Sequence, residues 1–331
     1  MSGRDAVPRV STRPSSNLRI APLVLIPFLL LSDGEPNPFK GQKLYVDPNS
    51  AAKRQAETWK RSRPVDSELI GQIAEKPVAR WIGGWGGDIR REVNQAVSTM
   101  TGSGALPVFV AYNIPYRDCG SYSAGGSATA AAYRKWIKDF ASGIGGRNAI
   151  VILEPDALAG MDCLPPAGRQ ERVTLISEAV QTLRAQRASV YLDAGHANWH
   201  APAEMAKRLQ QAGIDRATGF SLNVSNFSPT QSNVAYGEKL SRLVGGKHFI
   251  IDTSRNGVAT NSKEWCNPAG RALGVAPTTD TGHPLVDAFL WVKAPGESDG
   301  TCGGGPRAGS WWSNYALELS RMAAALSGRE R

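Results

Sequence analysis

The sequence predicts an α/β barrel of parallel strands, and three observations predict it. Short runs of continuous Val, Ile and Leu recur along the chain, the pattern of strands buried on both faces. Amphipathic stretches separate them, as expected of helices laid against such a sheet. Seven or eight of these strand–helix units fit into about 290 residues, which suits a barrel better than an open sheet.

In chain order, strands are expected at residues 44–46, 78–82, 107–112, 149–153, 190–192, 219–222, 249–251 and 288–292. Helices are expected at 88–100, 128–140, 169–187, 202–212, 232–244 and 311–326. No internal repeat, low-complexity tail or Pro/Ser-rich linker interrupts the series. Residues 33–331 therefore read as a single catalytic-sized domain without an appended binding module.

The first 32 residues differ from the rest. Arg4, Arg9, Arg13 and Arg19 precede an apolar run from Ile20 to Leu31, the arrangement of a secretory signal peptide. The run is short for a membrane span and carries Pro22 and Pro27. An uncleaved anchor at the cell envelope is the alternative to a cleaved leader. Export fits the cysteines. Cys119, Cys163, Cys266 and Cys302 lack a C-x-x-C spacing and read as two disulfides rather than a zinc site. Three pairings are possible, and the unentangled one, Cys119–Cys163 with Cys266–Cys302, is favoured.

The net charge is +9, of which the four Arg and one Asp of the leader account for a third. Lys and Arg are scattered rather than clustered. The excess therefore reads as solubility or attraction to an acidic surface, with nucleic-acid binding as the weaker alternative.

The residues just past each expected strand carry the chemistry: Tyr112 and Asn113, Glu154 and Asp156, Asp193 and His196, Asn223, Asp252, and Lys293. In α/β barrels these strand ends open on one face, where active sites sit. Any one acid there could cap a helix or form a turn; five strands ending this way gather at least four acids at one mouth. In Leu153-Glu154-Pro155-Asp156, Pro155 keeps Glu154 out of the helical region and turns Asp156 to the rim. An acid on a rigid, partly apolar rim can stay protonated near neutrality. A capping role for Asp156 is the bland alternative.

Asp118, beside Cys119, precedes the Gly-rich loop Ser121-Tyr122-Ser123-Ala124-Gly125-Gly126, which lacks the signature of a phosphate-binding loop. His196 suits hydrogen bonding better than metal ligation, since the chain has only four His and no H-x-H or H-E-x-x-H. Lys293, Glu297 and Asp299 share a turn-rich loop, where the cation can keep a carboxylate ionised. Trp136 and Trp291 read as core residues. Trp81, Trp85, Trp199 and Trp265 lie by polar residues at strand ends and loops, where an exposed indole suits the flat face of a sugar ring.

Six stretches together resemble glycoside hydrolase family 6, the cellulose-degrading endoglucanases and cellobiohydrolases. They are Tyr112-Asn-Ile-Pro-x-Arg-Asp-Cys119, Leu153-Glu-Pro-Asp156, Leu192-Asp-Ala-Gly-His-x-x-Trp199, Asp252-Thr-Ser-Arg-Asn-Gly257, Trp265-Cys266-Asn-Pro and Trp291-x-Lys-x-Pro-Gly-Glu-x-Asp-Gly300. They run in order over roughly residues 44–320.

The resemblance implies a distorted, partly open barrel of mainly seven strands, and hydrolysis with inversion at the anomeric carbon. By position, Asp156 matches the general acid, and Asp118 the aspartate that raises its pKa and helps orient water. Asp299 matches the disputed base, with Lys293 and Arg255 as its ion-pair partners. Tyr112 matches the ring that crowds a distorted sugar. Trp81, Ser123, Asp193, His196, Trp199, Asn223, Trp265, Lys293 and Glu297 match substrate-contacting positions. The family's two disulfides match the pairing favoured above.

The implied protein is a secreted, monomeric endo-β-1,4-glucanase acting on cellulose without metal or cofactor, and without a nucleic-acid or stable membrane partner. Only about ten residues separate Cys302 from the last expected helix, which favours an open cleft and internal cleavage. The alternatives are a cellobiohydrolase on the same fold, a non-catalytic polysaccharide-binding protein, and a metal-dependent hydrolase using the clustered Asp residues.

Overall fold

Seven parallel strands pair strictly in chain order: β1 (Arg80–Gly83), β2 (Val108–Tyr112), β3 (Ala149–Leu153), β4 (Ala188–Asp193), β5 (Gly219–Leu222), β6 (His248–Asp252) and β7 (Val286–Leu290). The computed structural model describes residues 36–259 and 264–329, together with Gly3; the leader expected at 1–32 lies outside the described residues. Among the described residues eight α-helices accompany the sheet: α1 (Ala51–Trp59), α2 (Pro64–Ala74), α3 (Ile89–Gly102), α4 (Ala130–Ile144), α5 (Pro166–Arg184), α6 (Pro202–Gln211), α7 (Thr230–Leu243) and α8 (Ser313–Arg329).

Side chains alternate across each strand, so the apolar runs feed two separate cores. Val110, Tyr112, Ile150, Ile152, Tyr191, Ile250 and Leu290 meet inside the curl of the sheet. Phe109, Val151, Leu153, Val190, Leu192 and Phe220 face the other way, against Val93 of α3, Phe140 of α4, Ile176 of α5 and Leu209 of α6. This double burial is why the strands read as unbroken hydrophobic runs rather than as alternating ones. Local chemistry sets the helix ends. Asp88 accepts the Arg91 amide at the start of α3, Thr129 accepts the Ala132 amide at the start of α4, and Gly145 ends α4 in the left-handed conformation.

The barrel is partly open. No ladder joins β1 to β7; their edges meet through the Ala79 amide, which donates to Trp291 O at 3.0 Å, and Trp81 Nε1, which donates to Val292 O at 2.8 Å. α1, α2 and α8 cover this region with a third core of Ala52, Ile70, Ile73, Trp291, Tyr315 and Leu319.

Three local expectations differ from the structure. Residues 44–46 form only a bridge between Leu44 and Leu106, because the Gly41 turn and Asp47-Pro48 leave too few residues for a ladder. β7 ends at Leu290, two residues earlier than expected, and the Trp291 and Val292 carbonyls serve the seam instead. α1 and α2 were not anticipated, because no strand lies between them to continue the alternation. Disulfides join Cys119 to Cys163 and Cys266 to Cys302, the favoured pairing. The first ties the loop after β2 to the turn after β3; the second ties the loop after β6 to the loop after β7.

Candidate active site

The strand-end acids form two tiers. The lower tier is Glu154, Asp193 and Asp252, each at most 1% exposed and each consumed by backbone amides. Glu154 accepts from Asn113 N (3.0 and 2.9 Å) and Ile114 N (3.0 Å), so the end of β3 grips the end of β2. Asp193 accepts from Asp156 N at 2.9 Å, Gly195 N at 3.1 Å and the Ser221 hydroxyl at 3.1 Å. Asp252 accepts from Ser254, Ser225, Val292 and Lys293 amides, reaching the segments that follow β5 and β7. These carboxylates sew the barrel mouth together.

The upper tier is Asp118, Asp156 and Asp299, which line a cavity of about 1860 Å³ with Trp81, Trp85, Tyr112, Ser123, His196, Trp199, Trp265, Lys293 and Glu297. Asp156 has φ 66° and its amide is held by Asp193, which aims the side chain upward. Its carboxyl makes no hydrogen bond among the described residues. Burial, followed by the charges of Asp193, Asp118 and Asp299, pushes it well above the ordinary carboxylate range. The Asp118 carboxyl is raised by burial against the opposing pull of the Ser123 amide, which donates to Oδ2 at 2.8 Å, and of Arg117. Ser123 thus meets Asp118 through its backbone. Arg117 fixes the loop root by donating to Tyr112 O at 2.9 Å and Ser123 O at 2.8 Å, while its guanidinium lies over the Tyr112 ring.

Asp299 is held on one oxygen only. Arg255 Nη1 donates to Oδ2 at 2.9 Å and Asn267 N at 3.1 Å; among the described residues no hydrogen bond reaches Oδ1. Asn267, with φ 47° beside the Cys266–Cys302 bridge, also accepts the Asp299 amide at 2.8 Å and donates to Gly300 O. Lys293 does not share this pair. Its ammonium faces Glu297 at 3.5 Å across one turn and lies 5.9 Å from the Trp81 ring centre. Burial and the neighbouring His200 lower the His196 pKa to about 4, and the Asn198 amide donates to Nδ1, so the neutral ring carries its proton on Nε2.

Of the residues singled out in the sequence, Asp193, Asn223 and Arg255 lie beneath the cavity rather than on it. Asn223 spends its side chain on Asp252 O and the Ser228 amide. Trp85 (59% exposed), Trp265 (42%) and Trp199 (38%) are presented to solvent, whereas Trp136 and Trp291 are buried. Tyr122 bridges the mouth. Its ring packs over Gly300, where a Cβ would lie 2.4 Å from it, and its centre stands 6.0 Å from that of Trp265. The roles of Asn267 and Tyr122 escaped the sequence reading. The only local signal was an Asn next to a bridged cysteine and an aromatic inside a Gly-rich loop.

The sequence matches the family described as Glycosyl hydrolases family 6 over residues 39–323. The chain belongs to glycosyl hydrolase family 6. Endoglucanase A of Cellulomonas fimi is 45% identical over 291 residues, covering 87% of this chain and 62% of that protein. Endoglucanase 1 of Streptomyces halstedii is 42% identical, covering 83% of this chain and 87% of the relative. The solved endoglucanase Cel6 of Mycobacterium tuberculosis, in complex with methyl-cellobiosyl-4-deoxy-4-thio-β-D-cellobioside, superposes with a TM-score of 0.82 at 46% identity, covering 87% of this chain and 99% of that one.

Proton binding links this family 6 site to stability. Burial, opposed by the amides of Asn113 and Ile114, pushes Glu154 up to about 7; burial, opposed by those of Asp156 and Gly195, pushes Asp193 up to about 7. The Asp287 hydrogen bond raises His248. Each group keeps its proton in the folded chain at a pH where more of the unfolded chain has released it. Their contribution is therefore lost as the pH rises through the folded-state values. His196, lowered by burial, opposes this only below about pH 6.5, the ordinary histidine value. The melting temperature is expected to fall between pH 6.5 and 8. A rise across that window, followed by circular dichroism, would contradict these assignments.

Proposed function

We propose that the chain is an inverting endo-β-1,4-glucanase of cellulose or related glucans, with Asp156 as general acid. One observation carries the reading. Among the described residues, a carboxyl with no hydrogen-bond partner stands among three other acids in a cleft lined by exposed indoles. A group so placed keeps its proton and has nothing to give it to except a bound ligand. The endoglucanase names of the bacterial relatives support the substrate class.

In the proposed reaction, Asp156 gives its proton to the glycosidic oxygen as the bond from that oxygen to the anomeric carbon breaks. A water attacks the opposite face, and its proton passes to Asp299 through the free Oδ1 or to Asp118 through a second water. Tyr112 and Trp81, whose ring centres are 5.1 Å apart and edge-to-face, shape the floor where the distorted sugar would sit. Arg255 holds Asp299 in place through Oδ2. His196, Trp199, Trp265, Lys293 and Glu297 line the paths of the flanking sugars. Asp193 and Asn223 act from beneath by shaping the backbone.

The Arg residues ahead of the apolar run from Ile20 to Leu31, and the two disulfides, support export and action on an extracellular glucan. One observation favours the cellobiohydrolase alternative: Tyr122 crosses the mouth to Gly300 and Trp265.

Two measurements on one preparation test the proposal. Proton NMR of cellotetraose hydrolysis should show the α-anomer first. Carboxymethylcellulose should lose viscosity far faster than it gains reducing ends. A β-anomer as first product would overturn inversion, and proportional loss of viscosity would transfer the chain to the exo-acting reading.

A further inference from the structure

Glu154 and Arg172 are buried, line no part of the cleft, and yet touch both segments that carry its central acids. The chain from Asn113 to Tyr116 leads β2 into Asp118. Its amides at Asn113 and Ile114 go to the Glu154 carboxylate. Its carbonyls at Pro115 and Tyr116 accept from Arg172 Nη2 at 2.6 and 2.9 Å. The same guanidinium donates through Nη1 to Ala157 O at 3.4 Å, immediately after Asp156. Glu154 itself stands two residues before Asp156.

One buried carboxyl and one buried guanidinium therefore clamp the root of the Asp118 loop against both flanks of Asp156. The backbone between them is strained in the sense that matters here. Tyr116, Glu154 and Asp156 all have φ between 50° and 66°, a region that residues other than glycine occupy only when their surroundings over-determine it. The clamp, together with the Asp193 carboxyl on the Asp156 amide, is that surrounding.

We propose that Glu154 and Arg172 are positioning residues that set the separation between the Asp118 and Asp156 carboxyls; this rests on Asp156 being the proton donor. The charged and titratable groups facing Asp156 are Asp193 from β4, Asp118 from the loop after β2, Asp299 from the loop after β7, and Tyr112 from β2. Those facing Glu154 are Tyr112 from β2, Tyr133 from α4, Arg172 from α5 and Arg117. Among the acids around Asp156, Asp118 is the one whose segment Arg172 holds. Loosening the clamp thus shifts the Asp118 segment relative to Asp156, and moving a like charge away makes Asp156 release its proton at lower pH.

Arg172→Lys keeps the charge but cannot fork across three carbonyls. Its kcat/KM for cellohexaose, followed against pH, should lose the alkaline limb about one pH unit earlier than the parent, a tenfold change in proton affinity. In an Asp118→Asn background the limb has already moved, and Arg172→Lys should shift it no further. A uniform fall in kcat/KM with the limb unmoved, or an equal shift in both backgrounds, would overturn the proposal, because a merely structural role predicts it.

Should Arg172→Lys fail to fold by circular dichroism, Glu154→Gln is read by the same criterion, with Glu154→Asp as the variant expected to restore part of the shift. Asp156→Asn is assayed alongside. If it remains active, the reading of the acid fails; if it is inactive while no limb moves, the clamp alone fails.

Discussion

Asp156→Asn is expected to lower kcat on soluble cello-oligosaccharides by about 10²–10⁴-fold, the usual worth of a positioned general acid. Asn has nearly the same volume, and the Asp193 oxygen still receives the backbone amide at position 156, so the segment keeps its shape. Only the transferable proton disappears. The loss should shrink on an aryl cellobioside whose leaving group is a strong acid, since such a phenolate departs without protonation. It should come without a fall in melting temperature, because Asp193, Asp118 and Asp299 no longer face a fourth acid. Steady-state kinetics on the two substrates check this. Equal losses on both would mean that Asp156 orients the substrate rather than protonating it, and retention of more than a tenth of the activity would remove it from the chemistry.

Arg255→Met should be the most damaging single change to stability. Arg255 is fully buried, and Asp299, on which its Nη1 donates, is nearly so. Removing one partner of such a pair leaves an uncompensated charge and costs about 3–5 kcal/mol. Phe227, which lies 4.4 Å beneath the guanidinium, would pack equally well against a thioether. The cost should therefore be electrostatic, and Arg255→Met/Asp299→Asn should recover most of it. Denaturant titration of both variants decides the matter. A single-variant loss below about 1 kcal/mol, within the range of an exposed pair, would mean that water reaches Asp299. A double variant no more stable than the single one would mean that the guanidinium acts through packing alone.

The strands were legible because burial on both faces leaves an unbroken apolar run, which turns or solvated loops do not imitate. The position of the acids followed from the same fact, since a parallel barrel gathers its strand ends on one face. Their division into two tiers was not legible. Glu154 and Asp156 are separated by one residue, yet one is spent on the amides of Asn113 and Ile114 and the other faces the cleft. Which amide reaches which carboxylate depends on the twist between neighbouring strands, and no local pattern encodes it.

Lys293 illustrates the same limit. Position along the chain brings it to the Asp299 loop, but its ammonium meets Glu297, four residues on, before it reaches Asp299. The roles of Arg172 and Asn267 were hidden for a related reason: an Arg inside a helix and an Asn after a cysteine look ordinary until their carbonyl partners are known. α1 and α2 bury their apolar residues against Trp291 and against Tyr315 and Leu319 of α8, the helix lying more than 230 residues away.

The seam between β1 and β7 bears on how a seven-stranded barrel closes at all. Successive strands are joined across about thirty to forty residues, up to the pairing of Val110 with Ile152, whereas the bond from Trp81 to Val292 spans 211. Loop-closure entropy grows only with the logarithm of length, so the longer span costs about 1.5 kcal/mol more than a neighbouring ladder contact. A single net hydrogen bond is worth about 0.5–1.5 kcal/mol. The two bonds at the seam are therefore of the size needed to hold the curl shut, and chain entropy demands no eighth strand. That leaves the wall beside Trp81 free of a ladder and of the side chains a further strand would have brought to the sugar-facing end.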